Sequence, residues 1–251
     1  MKILAIESAA TAASVAILDG DTCIADMTIQ FKKTHSQTIL PMIDQICKIT
    51  ETEPESIDAV AVSVGPGSFT GLRIGVATGK GIALAYDRPM IEVSTLLAMA
   101  ANIPAGSECL ICPVMDARRA HVYTGVYEYD DEGDLQEVLP ESLLSYEELA
   151  DSLNSLAEEG KPVIMLGDGL SALESKAGDA RRMKDIMQEL VAGELILAPE
   201  NMNYQRAASV AVVAAKMAKE GKLVSSDEVK PDYLRPSQAE RMRKSGVVGE
   251  E

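Results

Sequence analysis

The residues from which chemistry could be built are few, and the most pointed spacing lies between Val60 and Ala85. There Gly65-Pro66-Gly67-Ser68-Phe69-Thr70-Gly71-Leu72-Arg73-Ile74-Gly75 separates a short alternating apolar run from a longer one. A glycine turn between strand and helix is a place where backbone N–H groups can hold a phosphate. Neither common nucleotide fingerprint fits. The dinucleotide motif needs glycine where Thr70 stands, and Gly75-Val76-Ala77-Thr78-Gly79-Lys80-Gly81 is one spacer short and lacks a hydroxyl after the lysine. His35 and His121 are too far apart to form a helical metal-ligand pair. Cys109-Leu110-Ile111-Cys112 has redox spacing, but it falls in an apolar run where a strand would send residues three apart to opposite faces. No second pair completes a zinc site, so these read as buried thiols.

The glycine segment requires a strand before it and a helix after it. Val60, Val62 and Val64 alternate with Ala59, Ala61 and Ser63, the pattern of a buried strand. In the helix that follows, Gly71, Gly75, Gly79 and Ala83 recur every fourth residue. Each interior glycine costs about 1 kcal/mol relative to alanine, so the stripe must be offset by close packing. The spacing predicts a groove for another helix, either of the same chain or of a second molecule, in which case a homodimer results. Arg73 and Lys80 argue against a membrane span.

Around this centre the chain reads as an α/β protein. Lys2 to Ile6 is a first strand, Ser14 to Leu18 and Thr22 to Ile29 form a hairpin turned at Asp19-Gly20, and a helix carries Ile39, Ile43, Ile46 and Cys47, with Pro41 expected in its first turn. After the glycine-striped helix come a strand at Met90 to Val93 and a helix after Ser94. The order then repeats: strands at Cys109 to Met115, Ala120 to Tyr129 and Gly133 to Leu139, a capping box Ser145-Tyr146-Glu147-Glu148, and a strand from Pro162 to Leu166. Asp179 to Val191 and Ala207 to Ala218 read as helices. A duplicated β-β-β-α-β-α order implies the two-lobed actin-like ATPase fold, also called ASKHA and RNase H-like, with lobes at residues 1–104 and 105–224 and a polar segment and tail at 225–251.

The 251 residues, 47% hydrophobic with only 4% aromatic, can bury a core built from aliphatics, alanine and methionine. No signal peptide or membrane-length apolar run is present, which points to the cytoplasm. A formal charge of −16 argues against this chain holding nucleic acid alone, because nonspecific affinity comes from neutralising phosphates with lysine and arginine.

The segment from Gly65 to Gly75 resembles the signature of the TsaB family, non-catalytic subunits of the bacterial machinery that makes threonylcarbamoyladenosine (t6A) in tRNA. Ile3-Leu4-Ala5-Ile6-Glu7-Ser8, His35-Ser36-Gln37 with Leu40-Pro41, Asp116-Ala117-Arg118 and Tyr233-Leu234-Arg235 agree with it. The resemblance implies a protein that acts by binding TsaD, the catalytic relative that modifies adenosine 37 of tRNAs reading codons that begin with A. It also implies a homodimer when alone, a TsaE-like ATPase as a further partner, and tRNA contact only through the complex. It supplies no cofactor, leaving ATP and metal to the partner subunits. It carries over Gly71, Arg73, Ile74, Gly75, Thr78, Gly79 and Ala83 as interface candidates, and Gly65, Pro66, Gly67, Ser68, Phe69 and Thr70 as the signature loop.

A working ATPase of this fold would bind phosphate in a glycine-containing turn after the first strand. Here Glu7-Ser8-Ala9-Ala10-Thr11-Ala12-Ala13 has no glycine. Glu7, Ser8 and Thr11 are thus the remnant of a phosphate turn, with Glu7 either a metal ligand or a partly exposed acid capping the turn. A small-metabolite kinase of the same fold is the rival reading. A peptidase is disfavoured, since no Gly-x-Ser-x-Gly or metal-spaced histidine pair occurs.

Overall fold

The computed structural model describes residues 1–31, 34–157, 160–176 and 179–234. In the first lobe, β1 (Lys2–Glu7), β2 (Ala13–Asp19), β3 (Thr22–Ile29), β4 (Ala59–Gly65) and β5 (Met90–Ser94) form a sheet in the order β3-β2-β1-β4-β5. Its helices are α1 (His35–Ile49), α2 (Phe69–Ala85) and α3 (Thr95–Ala100). β1 pairs antiparallel with β2 and parallel with β4, so the hairpin lies on one side of the first strand and the glycine-turn strand on the other.

The second lobe repeats this plan. β6 (Leu110–Asp116), β7 (His121–Tyr129) and β8 (Leu135–Ser145) lead to α4 (Tyr146–Ala157), then β9 (Val163–Leu166). A hairpin of β10 (Leu173–Lys176) and β11 (Asp179–Arg182) precedes α5 (Met183–Leu190) and β12 (Leu195–Leu197). The sheet order β12-β9-β6-β7-β8, read from its other edge, is the order of the first sheet. The predicted capping box forms: Ser145 N donates to Glu148 Oε2 at 2.8 Å, and Glu148 N donates to Ser145 Oγ at 3.2 Å.

Each face of the first sheet has its own core. Leu4, Ile6, Val60 and Val62 meet α1 and α2, whereas Ala5, Ala16, Ala59 and Ala61 meet Ala207, Val210, Ala211 and Ala214 of α6 (Ala207–Lys219). Small residues on both sides let α6 lie close on the sheet, which is how a core with few aromatics is filled. Leu96 and Met99 of α3 join Ile111 and Tyr127 of the second sheet in the core between the lobes.

Several expectations need correction. Pro41 lies inside α1, not in its first turn; it is exposed, and the missing N–H leaves a carbonyl one turn back without its helical donor. β8 runs on past Leu139 through Pro140, because the register shifts between Thr124 and Val126 and the proline sits where no ladder bond is needed. Asp179 to Val191 is not one helix: Asp179–Arg182 pairs with β10 as a strand, and the helix begins only at Met183, where Met183 and Met187 face the core.

The largest departure concerns the end of the chain. Although its sequence position suggested the second lobe, α6 packs on the first sheet. Residues 224–234 then cross that lobe as a strap: Val224 bridges Met90, Val229 is fully buried in the core against α1 and α2, and Asp232 N donates to Val64 O at 2.7 Å. The expected tail from Lys244 to Glu251, and Arg235 of the Tyr233-Leu234-Arg235 motif, lie outside the described residues.

Candidate interaction site

The turn after β1 and the start of α2 are built as one unit. Ser68 caps α2, its Oγ accepting from Gly71 N at 3.3 Å, and Ser68 N donates to Ala9 O at 2.6 Å. Ser8 Oγ donates to Gly71 O at 2.9 Å, and His35 Nε2 lies 2.8 Å from Ala10 O, tying the start of α1 to the same turn. The glycines allow this approach. A Cβ at Gly67 would lie 2.5 Å from Ala9 O, and one at Gly71 only 2.2 Å from Ser8 O. The Ser8 hydroxyl and the Ala9 and Ala10 carbonyls are therefore engaged in holding helices.

This arrangement corrects the reading of the glycine stripe. Gly71, Gly75, Gly79 and Ala83 are buried against their own lobe, not offered to another molecule. A Cβ at Gly75 would stand 2.1 Å from Ser8 Oγ, and at Gly79 2.6 Å from Val62 Cγ1. The groove receives the sheet, the Ser8 turn and, at Gly71, the His35 ring at the start of α1.

The outward side of α2 carries other residues. Arg73, Ala77, Gly81, Leu84 and Ala85 are exposed, with Ile74 and Thr78 half-buried beside them. Leu84 is 76% exposed, and a Cβ at Gly81 would meet nothing within 4 Å. Ala77, Gly81 and Ala85 thus form a second small-residue register, visible in the sequence at the same four-residue spacing but hidden behind the more glycine-rich one.

At the N-terminal end of this face, the strap closes over α2. Tyr233 stacks on Phe69 with ring centroids 4.7 Å apart, Arg73 Cζ lies 3.9 Å from the centre of the Phe69 ring, and Arg73 Nε donates to Tyr233 OH at 3.0 Å. Gly65, with φ of 136°, passes beneath the strap, where a Cβ would be 2.2 Å from Asp232 O. Lys80 Nζ, further along α2, reaches Asp227 O at 3.4 Å.

The turn expected to be the remnant of a phosphate site is divided. Glu7 is fully buried, not partly exposed: its Oε1 accepts from Ala9 N at 2.5 Å, while Oε2 meets no partner in good hydrogen-bond geometry among the described residues. Burial lifts its carboxyl from 4.5 to about 7, against the lowering effect of the Ala9 N–H. Ser8 is buried too, whereas Thr11 is exposed and lines a cleft of about 390 Å³ between the lobes, with Ser68, Asp116, Arg118 and Asp168. Asp116 repeats the role of Glu7 in the second lobe, its Oδ1 accepting from Arg118 N at 2.8 Å. Asp168, raised by burial, accepts from Gln205 Nε2 at 3.1 Å. Among the described residues no group of three His, Cys, Asp or Glu side chains is placed to hold a metal ion. Cys109 and Cys112 are buried, and burial pushes the Cys112 thiol up to about 12, while Cys23 is exposed. His121 Nδ1 lies 2.7 Å from Arg119 O, a local turn contact.

Two lobes of one strand order, with a glycine loop and helix springing from the centre of the first, define a protein of the actin-like ATPase fold. A family model described as "TsaD: tRNA N6-adenosine threonylcarbamoyltransferase" matches residues 28–242. The chain is 32% identical over 96% of its length to the tRNA threonylcarbamoyladenosine biosynthesis protein TsaB of Bacillus subtilis, covering 96% of that protein, and 32% identical over 94% to TsaB of Escherichia coli, covering 95%. The structure of YeaZ from Pseudomonas aeruginosa superposes with a TM-score of 0.75 at 24% identity, over 92% of this chain and 99% of the other. The chain belongs to the TsaB family. No described helix is long and apolar enough to cross a membrane.

Proposed function

We propose that this protein is a non-catalytic subunit in t6A formation on tRNA, and that it acts by docking the outward face of α2 onto a TsaD-family transferase. The observation that carries the reading is that face itself. Ala77, Gly81 and Ala85 leave a shallow helical channel flanked by Leu84, Ile74 and Thr78, and nothing among the described residues covers Gly81. An exposed helix interior has no use for glycine unless a backbone approaches it. Arg73, Ile74 and Thr78 remain interface residues in this proposal; the four buried stripe residues do not. The same face serves a homodimer when the transferase is absent. Contact with tRNA comes through the complex, consistent with a charge of −16.

A kinase or ATPase of the same fold is the less supported reading. The cleft between the lobes favours it, but the Ser8 hydroxyl is already given to Gly71 O, the Ala9 N–H to Glu7 Oε1, and the Glu7 side chain is fully buried. The deciding experiment is t6A formation on unmodified tRNA with threonine, bicarbonate, ATP and the other pathway proteins, with and without this chain. Modification that requires the chain supports the subunit reading. Modification indifferent to it, with ATP turnover by the isolated chain, favours the kinase.

A further inference from the structure

Arg73 stands on the outward face of α2 with an unusual set of constraints. Its Nε is bonded to Tyr233 OH at 3.0 Å and one face of its guanidinium lies 3.9 Å from the centre of the Phe69 ring. Phe69 is itself clamped by the Tyr233 ring. Tyr233 is held by the strap, through Asp232 N on Val64 O at 2.7 Å, Lys230 N on Glu92 Oε1 at 2.9 Å, and the buried Val229. In a chain with 39 acidic residues, Arg73 nevertheless forms no ion pair among the described residues. Its exposed side chain is thus held at Nε and at one face, leaving the two terminal nitrogens without an ion pair among the described residues and much of the rotamer freedom already lost in folding.

We infer that Arg73 is the electrostatic anchor of the docking face, completed by an aspartate or glutamate carboxylate of the partner protein bound in two-pronged fashion, and that Tyr233 is its positioning residue. The inference rests on the docking role proposed above and names the chemistry of that contact. Geometry selects a protein carboxylate. Arg73 lies one turn from Ala77 and two from Gly81, so a helix seated on the small-residue channel carries its own side chains past the fork. Planar carboxylates match a guanidinium fork in a way that a lysine ammonium cannot reproduce. A rigid arginine beside a close-packed channel has the character of a binding hot spot. The strap therefore belongs to the interaction surface, although no outward residue of α2 is near it in sequence.

The test uses the full chain and the TsaD-family protein of the same genome, titrated by calorimetry. Arg73→Gln is expected to weaken binding about 30-fold or more, and Arg73→Lys nearly as much despite keeping the charge. Tyr233→Phe, which keeps the ring stack and removes only the acceptor for Nε, is expected to weaken binding about fivefold while leaving the thermal midpoint of the isolated chain in place. Arg73→Glu should abolish binding, and changing one surface acid of the partner to lysine should restore it. Wild-type affinity in Arg73→Lys, or failure of every acid-to-lysine change in the partner to restore Arg73→Glu, overturns the inference. If the unaltered chain does not bind the transferase at all, the docking proposal falls; if it binds while Arg73 and Tyr233 variants match it, only the anchor falls.

Discussion

Ser8 Oγ donates to Gly71 O at 2.9 Å, and this one bond joins the turn where a nucleotide-binding relative of the fold would need free groups to the first turn of the helix that faces outward. The hydroxyl and the carbonyls of the turn hold α2 in place. The Ser8 hydroxyl, a donor of that turn, is thereby committed to positioning α2.

A size exchange tests that unit. A methyl at position 75 would lie 2.1 Å from Ser8 Oγ but 3.3 Å from Ser8 Cβ. Gly75→Ala should lower stability by about 2 kcal/mol, and adding Ser8→Ala should recover much of the loss, a coupling that denaturant unfolding of both singles and the double measures directly. Gly75→Leu should disrupt the first lobe itself, since no substitution there could act on a partner alone.

Gly81 should behave in the opposite way. Its position is open, so Gly81→Leu relieves a helix-interior glycine and should stabilise the isolated chain by about 1 kcal/mol. The same side chain fills the channel between Ala77 and Ala85 and should reduce transferase binding at least tenfold by overpacking. A raised melting temperature together with unimpaired binding would remove α2's outer face from consideration.

Buried Glu7 gives the protein a pH signature. In the unfolded chain its carboxyl releases a proton near 4.5, whereas in the fold it does so only near 7. The folded state therefore binds the extra proton between those values. This group's contribution to stability is complete below pH 4.5 and is lost as pH rises through 7, by at most about 3 kcal/mol. Glu7→Gln should flatten that part of the stability profile and raise the midpoint at pH 8, while leaving it unchanged at pH 4. A parallel profile in the variant would mean that Glu7 is not the group responsible.

How much of this was legible in the sequence can be judged residue by residue. The strands around Val60 and Leu110, the hairpin at Asp19-Gly20 and the capping box at Ser145 are local patterns, and they form as their spacing predicts. The stripe from Gly71 to Ala83 correctly announced close packing. Periodicity tells which residues share a face, but not what the face meets, so the stripe suggested a second helix where the structure has β1, β4 and the Ser8 turn. Burial of Glu7 was hidden for a similar reason: a turn of small residues looks open until the sheet and helices close around it. Long-range pairing was beyond reach. Arg73 and Tyr233 are 160 positions apart, and nothing near either announces the other.

The strap also sets an order of events during synthesis. At ribosomal rates of about 5–20 residues per second, the interval between the emergence of Arg73 and that of Tyr233 is roughly ten to thirty seconds. Until the last stretch is delivered, α2 can form on its sheet, but Phe69 lacks its stacking partner and the guanidinium swings freely. A nascent chain that stops short of Tyr233 therefore lacks the ring stack on Phe69 and the hydroxyl bonded to Arg73 Nε.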